Sequence, residues 1–142
     1  MNRSAIMTAF SNLIFVLPQF KTWGRRLVKQ SAIDAYPAVF VVNLEDTYER
    51  QAQFARVTMD VAILVYSNTG TAPDAVPADD LGLLVDAIEA ALQPATPKDL
   101  QLRSLTLGGL VQHCWIEGKI EYYPADWESR AKAVIPAKIL VP

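Results

Sequence analysis

The chain has 142 residues, 51% of them hydrophobic and 20% charged, with a formal net charge of -2. That length favours a single domain over residues 1–142 and buries roughly 70% of the unfolded surface, enough for a core without metal or disulfide. The composition excludes a disordered chain, the slight acidity excludes a nucleic-acid binder held by overall positive charge, and the single cysteine, Cys114, excludes an internal disulfide and a cysteine-built zinc site.

Ser4 to Leu17 reads as a helix. Ile6, Phe10, Leu13, Ile14 and Leu17 recur at helical spacing, Asn2 or Ser4 can cap the start, and Pro18 ends it. The run is too short and too polar to cross a bilayer and lacks a small-residue cleavage site, so it is expected to stay as the N-terminal helix of a protein with no membrane partner. Phe20 to Ile33 has no clear period. Its Arg25, Arg26 and Lys29 suit a solvated connector or a contact with an acidic partner or passing DNA.

Pro37 to Leu44 is a continuous apolar run that predicts a short strand, and polar Glu45 to Gln51 predicts a turn. Gln53 to Tyr66 is a long strand of clean parity. Val57, Met59, Val61, Ile63 and Val65 face the core, and Arg56, Thr58, Asp60, Ala62, Leu64 and Tyr66 share the other face. Ser67 to Ala78, with Asn68, Gly70, Pro73, Asp74 and Pro77, is a loop, read either as a connector or as a contact loop. Asp79 to Leu92 is the best helix, with Leu81, Leu84, Val85, Ile88 and Leu92 as its stripe. Asp79 and Asp80 sit where the helix dipole favours negative charge, so they need no metal.

Leu110 to Tyr123 reads as one long strand opened by the corner Leu107-Gly108-Gly109. Leu110, Cys114, Ile116, Ile120 and Tyr122 are expected on its core face, with His113, Trp115, Glu117, Lys119 and Glu121 outward. Pro124 to Glu128 turns the chain into a last strand, Arg130 to Val141, with alanine, isoleucine and valine inward and Lys132 and Lys138 outward. Pro136 cannot donate to a ladder, which predicts an edge strand there. Two helices on one face of a four-stranded, mostly antiparallel sheet is the α+β arrangement this order implies.

No residue set reads as catalytic, cofactor-binding or metal-binding. The one histidine, His113, adjoins Cys114, and strand parity sends neighbours to opposite faces, so they make no nucleophile–base pair. The carboxylates Glu45, Asp46, Glu49, Asp74, Asp79 and Asp80 lack calcium-loop spacing, and the Gly-Gly pair precedes a strand rather than a helix and lacks the lysine of a phosphate loop. The expectation is a non-enzyme. Trp115 amid outward charges fits an interface, or a surface covered by the C-terminal hairpin or by the connector carrying Trp23. Candidate subunit or partner contacts are therefore His113, Trp115, Glu117, Lys119, Lys132, Lys138, Arg56 and Asp74.

One resemblance spans nearly the whole chain. It rests on the N-terminal helix, Pro-Ala-Val-Phe-Val from Pro37, Val-Ala-Ile-Leu-Val-Tyr from Val61, and the helix Leu83 to Leu92. It continues through Thr-Leu-Gly-Gly-Leu-Val-Gln-His-Cys-Trp-Ile-Glu-Gly from Thr106 and Ile-Pro-Ala-Lys-Ile-Leu-Val-Pro at the end. In this order the segments resemble bacteriophage tail terminator (tail completion) proteins. The resemblance implies a structural morphogenesis protein at the head-proximal end of the virion tail, assembled in the host bacterial cytoplasm. Such a protein caps the tail tube, stops its polymerisation and gives the head–neck connector proteins a docking face. It implies a homo-oligomeric ring, in the hexameric form usual for the family, with the tail tube protein as partner and non-specific contact with DNA in the lumen. The same residues leave open a head–tail connector, a tail tube component, and a dimeric α+β ligand-binding module.

Overall fold

The computed structural model describes residues 1–68, 76–123 and 130–142. Helix α1 runs Arg3–Phe15, and the Asn2 side chain caps it by accepting the Ala5 backbone N–H at 3.1 Å. The elements that follow are strand β1 (Thr22–Gly24), a 3-10 turn (Gln30–Ala32), β2 (Ala38–Gln51), β3 (Phe54–Asn68), α2 (Pro77–Ala91), α3 (Pro97–Leu102), β4 (His113–Ile116), β5 (Glu121–Tyr123) and β6 (Arg130–Val141). No helix among the described residues is long and apolar enough to cross a membrane.

The sheet is open and six-stranded rather than four-stranded, in the order β1-β2-β3-β6-β4, with β5 also on β6. All its pairings are antiparallel except the parallel β1–β2 contact. Helices and inward strand residues share one core. Ile6, Met7, Phe10 and Ile14 of α1, Leu81, Val85 and Ile88 of α2, and Met59, Ile63, Ile135 and Ile139 of the sheet are buried together. The expected parities of β3 and β6 hold along both strands. A smaller cluster, Ile33, Ala38, Phe40 and Tyr66, lies apart from the main core and includes the connector before β2.

Four expectations are corrected. Glu45 to Gln51 is not a turn but the second half of β2, paired with β3 down to Gln51↔Phe54. It is polar because it forms an arm: β6 ends at Val141 opposite Val57, so the tip of the β2–β3 hairpin has no strand beside it on that flank. The reversal at Ala52 uses φ 55 in a residue that is neither glycine nor asparagine, so the usual turn signal was missing. Phe20 to Ile33 contains an edge strand, β1, short and held by backbone pairing rather than by an apolar pattern.

The third correction is the division of Leu110 to Tyr123. From Ile116 to Glu121 the chain takes five steps against three on β6, from Ala137 to Val134, so two residues bulge out and part β4 from β5. Leu110, in the corner before β4, and Tyr122, on the helix side opposite Ala133, are 46% and 45% exposed rather than in the core. The fourth is β6 itself, which is interior, with β3 on one side and β4 and β5 on the other. Proline is tolerated because the Pro136 carbonyl accepts the Glu117 N–H at 3.2 Å. Its missing N–H therefore faces the same side, where the bulge interrupts the neighbouring strand. The turn expected over Pro124 to Glu128 lies outside the described residues, and so does most of the loop expected from Ser67.

Gly118 closes this bulge at φ +112, and a Cβ placed there would sit 3.2 Å from Pro136 Cγ. Gly118→Ala is expected to cost about 1–3 kcal/mol through backbone strain, seen as a lower urea midpoint at unchanged slope.

Candidate functional site

The face of the sheet opposite the helices is where most of the sequence candidates meet. Alternation along β6 turns Lys132 and Lys138 to this face, and the register sets Lys138 between Asp60 of β3 and Trp115 of β4. Lys138 Nζ lies 2.8 Å from Asp60 Oδ1 and 3.6 Å from Glu117 Oε2. The hydrogen bond to Asp60 is the main reason its ammonium is held above the ordinary lysine range. Trp115 Nε1 donates to Glu117 Oε1 at 3.3 Å, and the Trp115 ring stacks on His113 with centroids 5.1 Å apart. Asp60, Lys138, Glu117, Trp115 and His113 thus form a continuous chain of contacts across three strands. Further along β6, Lys132 lies over the Tyr123 ring at 4.8 Å.

The remaining candidates are dispersed. Arg56 is exposed on the β3 side of the arm, opposite Glu49, and Lys119 is exposed in the bulge between β4 and β5. Asp74 lies outside the described residues.

The Gly-Gly corner that feeds β4 is braced from α3. Asp99, 4% exposed, accepts the Thr106 hydroxyl at 2.6 Å and the Thr106 backbone N–H at 3.2 Å. The Thr106 carbonyl accepts both the Gly109 and the Val111 N–H at 3.1 Å. Leu107, Gly108 and Gly109 take φ of 53, 71 and 90, so the glycines serve the backbone path. A Cβ on either glycine would meet nothing within 4 Å. His113 is tied to the same corner, because its Nδ1 accepts the Leu105 N–H at 3.1 Å. Asp99 escaped the sequence reading, although Thr96 three residues before it is a helix-cap signal, and the Thr96 hydroxyl does accept the Asp99 N–H at 3.2 Å.

Those hydrogen bonds from Thr106 hold the Asp99 carboxyl below its ordinary value of 3.8. A carboxyl lowered by folding stabilises fully above that value, and the contribution is lost as pH falls through the lowered folded pKa. Asp99→Asn is expected to remove this part of the acid slope. The check is the urea midpoint of both proteins from neutral pH down through the carboxylate range. Parallel acid limbs would refute the assignment.

Cys114 is fully buried on the helix side, and burial, with a lesser push from the Asp99 charge, raises its thiol to about 12. His113 is on the opposite face with Nδ1 engaged by backbone. Among the described residues no three of His, Cys, Asp and Glu gather as a metal-holding group. What the region does present is an edge. β4 is the last strand of the sheet, and a groove of about 480 Å³ runs along all four of its residues, walled by Glu89, Gln93 and Arg103. On the opposite edge the arm exposes Leu44, Tyr48 and Phe54 by 63%, 61% and 78%.

A solved structure described as "Virion of native gene transfer agent (GTA) particle" contains a chain of the same architecture. The superposition has a TM-score of 0.51 and covers 97% of this chain and 92% of that one, at 10% sequence identity. The chain shares its fold with a virion protein. At that identity the likeness is one of fold alone. No protein-family model matches the sequence, and no curated protein does.

Proposed function

We propose that this chain is a structural virion protein that acts as a tail terminator: a ring, hexameric in the form its resemblance implies, that caps the tail tube, ends its growth and presents a docking surface to the head–neck connector proteins. The observation that carries the reading is the fold shared end to end with a chain of the gene transfer agent virion. It is supported by the kind of surface the domain exposes. Its open sheet face is built of ion-paired charges and half-buried aromatic rings, and among the described residues β4 on one edge and most of β2 near the other have no further strand beside them. A ring needs two different self-association patches on each subunit, because one patch always meets the other on the next copy. No enzymatic activity is part of this reading.

The open face also bears on DNA in a lumen. Among the described residues, Glu45, Glu49, Asp60, Glu117 and Glu121 offset Arg56, Arg130, Lys132 and Lys138 there, so the face has no basic excess to hold phosphates. Any contact with passing DNA is non-specific and weak.

The reading is tested by mass measurement in solution with negative-stain imaging, then by adding the protein to polymerising tail tube protein. Closed rings that halt tube growth are expected. Long tubes of this chain alone would make it a tube component, and a stable dimer would favour a ligand-binding module.

A further inference from the structure

The two unpaired edges are matched in a way that names their occupant. β2 runs antiparallel to β3, β3 to β6 and β6 to β4, so β2 and β4 point in opposite directions at opposite edges of one sheet. Set side by side in two copies of the same orientation, β4 of one and β2 of the next continue the antiparallel alternation. Both have free backbone groups. β1 covers β2 only at Ala38–Phe40, leaving Val41 to Gln51 without a second neighbour among the described residues. On β4 the Glu117 N–H bonds to Pro136, so the odd positions face β6 and the N–H and C=O groups of Cys114 and Ile116 face the groove.

The stagger is dictated as well. β1 and β5 lie at the same height, joined through Phe40↔Leu64, Leu64↔Val134 and Val134↔Glu121. In a level pairing β1 of the next copy would fall in the column occupied by β5. Sliding the next copy by about four residues clears it, and closing a sheet on itself demands such a shear. The slide sets the outer half of β2, from Thr47 to Gln51, against His113–Ile116. Asp46, Tyr48 and Arg50 lie on the helix side, where Glu89 walls the groove, and exposed Phe54 lies on the open face with His113 and Trp115.

Resting on the ring reading, we infer that the β2–β3 arm of one copy lies along the groove of the next and adds its β2 edge to β4, making a heterologous, strand-paired subunit interface. The occupant of the groove is a second copy of this chain.

The test is crosslinking of the full chain with a short bis-maleimide. One variant carries Gln53→Cys at the arm tip and Gln112→Cys beside β4. A control carries Lys21→Cys and Gln112→Cys. These side chains are exposed, and Cys114 is buried and stays unmodified. Glu49→Cys replaces Gln53→Cys should the tip variant fold poorly. The arm pair is expected to give a ladder ending at the ring size, roughly tenfold above the control, as effective concentrations near millimolar imply. Rings with no ladder, or with equal ladders from both pairs, would overturn this interface and leave the ring reading standing. A monomer at every concentration by sedimentation would overturn both.

Discussion

Phe10→Ala is expected to lower unfolding free energy by about 3–5 kcal/mol, among the largest effects of a single core truncation in this fold. Phe10 has no exposed surface and is among the largest fully buried side chains. It sits in the middle of α1, in the stripe Ile6, Met7, Phe10 and Ile14 that enters the common core. Removing the ring deletes its transfer energy and leaves a cavity that packed β-strands fill poorly. Domains of this size are stable by about 5–15 kcal/mol, so the variant would lose a large share of that. Val16→Ala, 75% exposed just beyond the same helix, is the matched comparison and should stay within about 0.5 kcal/mol. Urea titrations with unchanged slope measure both. Equal losses at the two positions would mean that α1 is not anchored through its buried stripe.

Trp115→Ala is expected to raise the concentration needed for ring assembly by roughly 30-fold or more, the size of a hot spot worth about 2 kcal/mol. The ring is half-buried at the sheet edge, stacked on His113 and bonded to Glu117, outside the main core. Its truncation should therefore weaken association far more than folding. Adding Lys132→Glu places a negative charge beside Tyr123 and Glu121, which sharpens the effect on the same face. Sedimentation against concentration is the readout, with circular dichroism as the check on folding. If the double variant assembled into unchanged rings at unchanged concentration, neither residue would belong to a subunit interface.

Both expectations depend on separating what buries a residue from what merely orients it. Phe10 could be placed from its helical spacing. Trp115 could be assigned to the outward face by parity, but whether that face was covered was open. The structure shows it partly screened by its own neighbours, His113 and Glu117, rather than by the connector that carries Trp23, which is itself 52% exposed.

Local chemistry alone determined a good deal of this protein. The α1 and α2 stripes, the alternation of β3 and β6, the cap at Asn2, the opposite facing of His113 and Cys114 and the corner at Gly108-Gly109 all follow from periodicity or from backbone sterics within a few residues. Each of those signals is written by burial or by conformational freedom at the site itself. The arm, the edge strand β1, the bulge at Gly118 and the interior position of β6 carry no such signal. The arm, β1 and the bulge are held by backbone hydrogen bonds, which any sequence can make, and their side chains remain largely in water, while the alternation of β6 marks its buried face but not which strands flank it. The contact chain from Asp60 to His113 likewise depends on β3, β6 and β4 meeting in one register, and Asp99 reaches Thr106 only because α3 folds back on the corner. Tertiary structure decided those features, because a register between distant strands is settled by the best joint packing of the core and not by any residue's own preference.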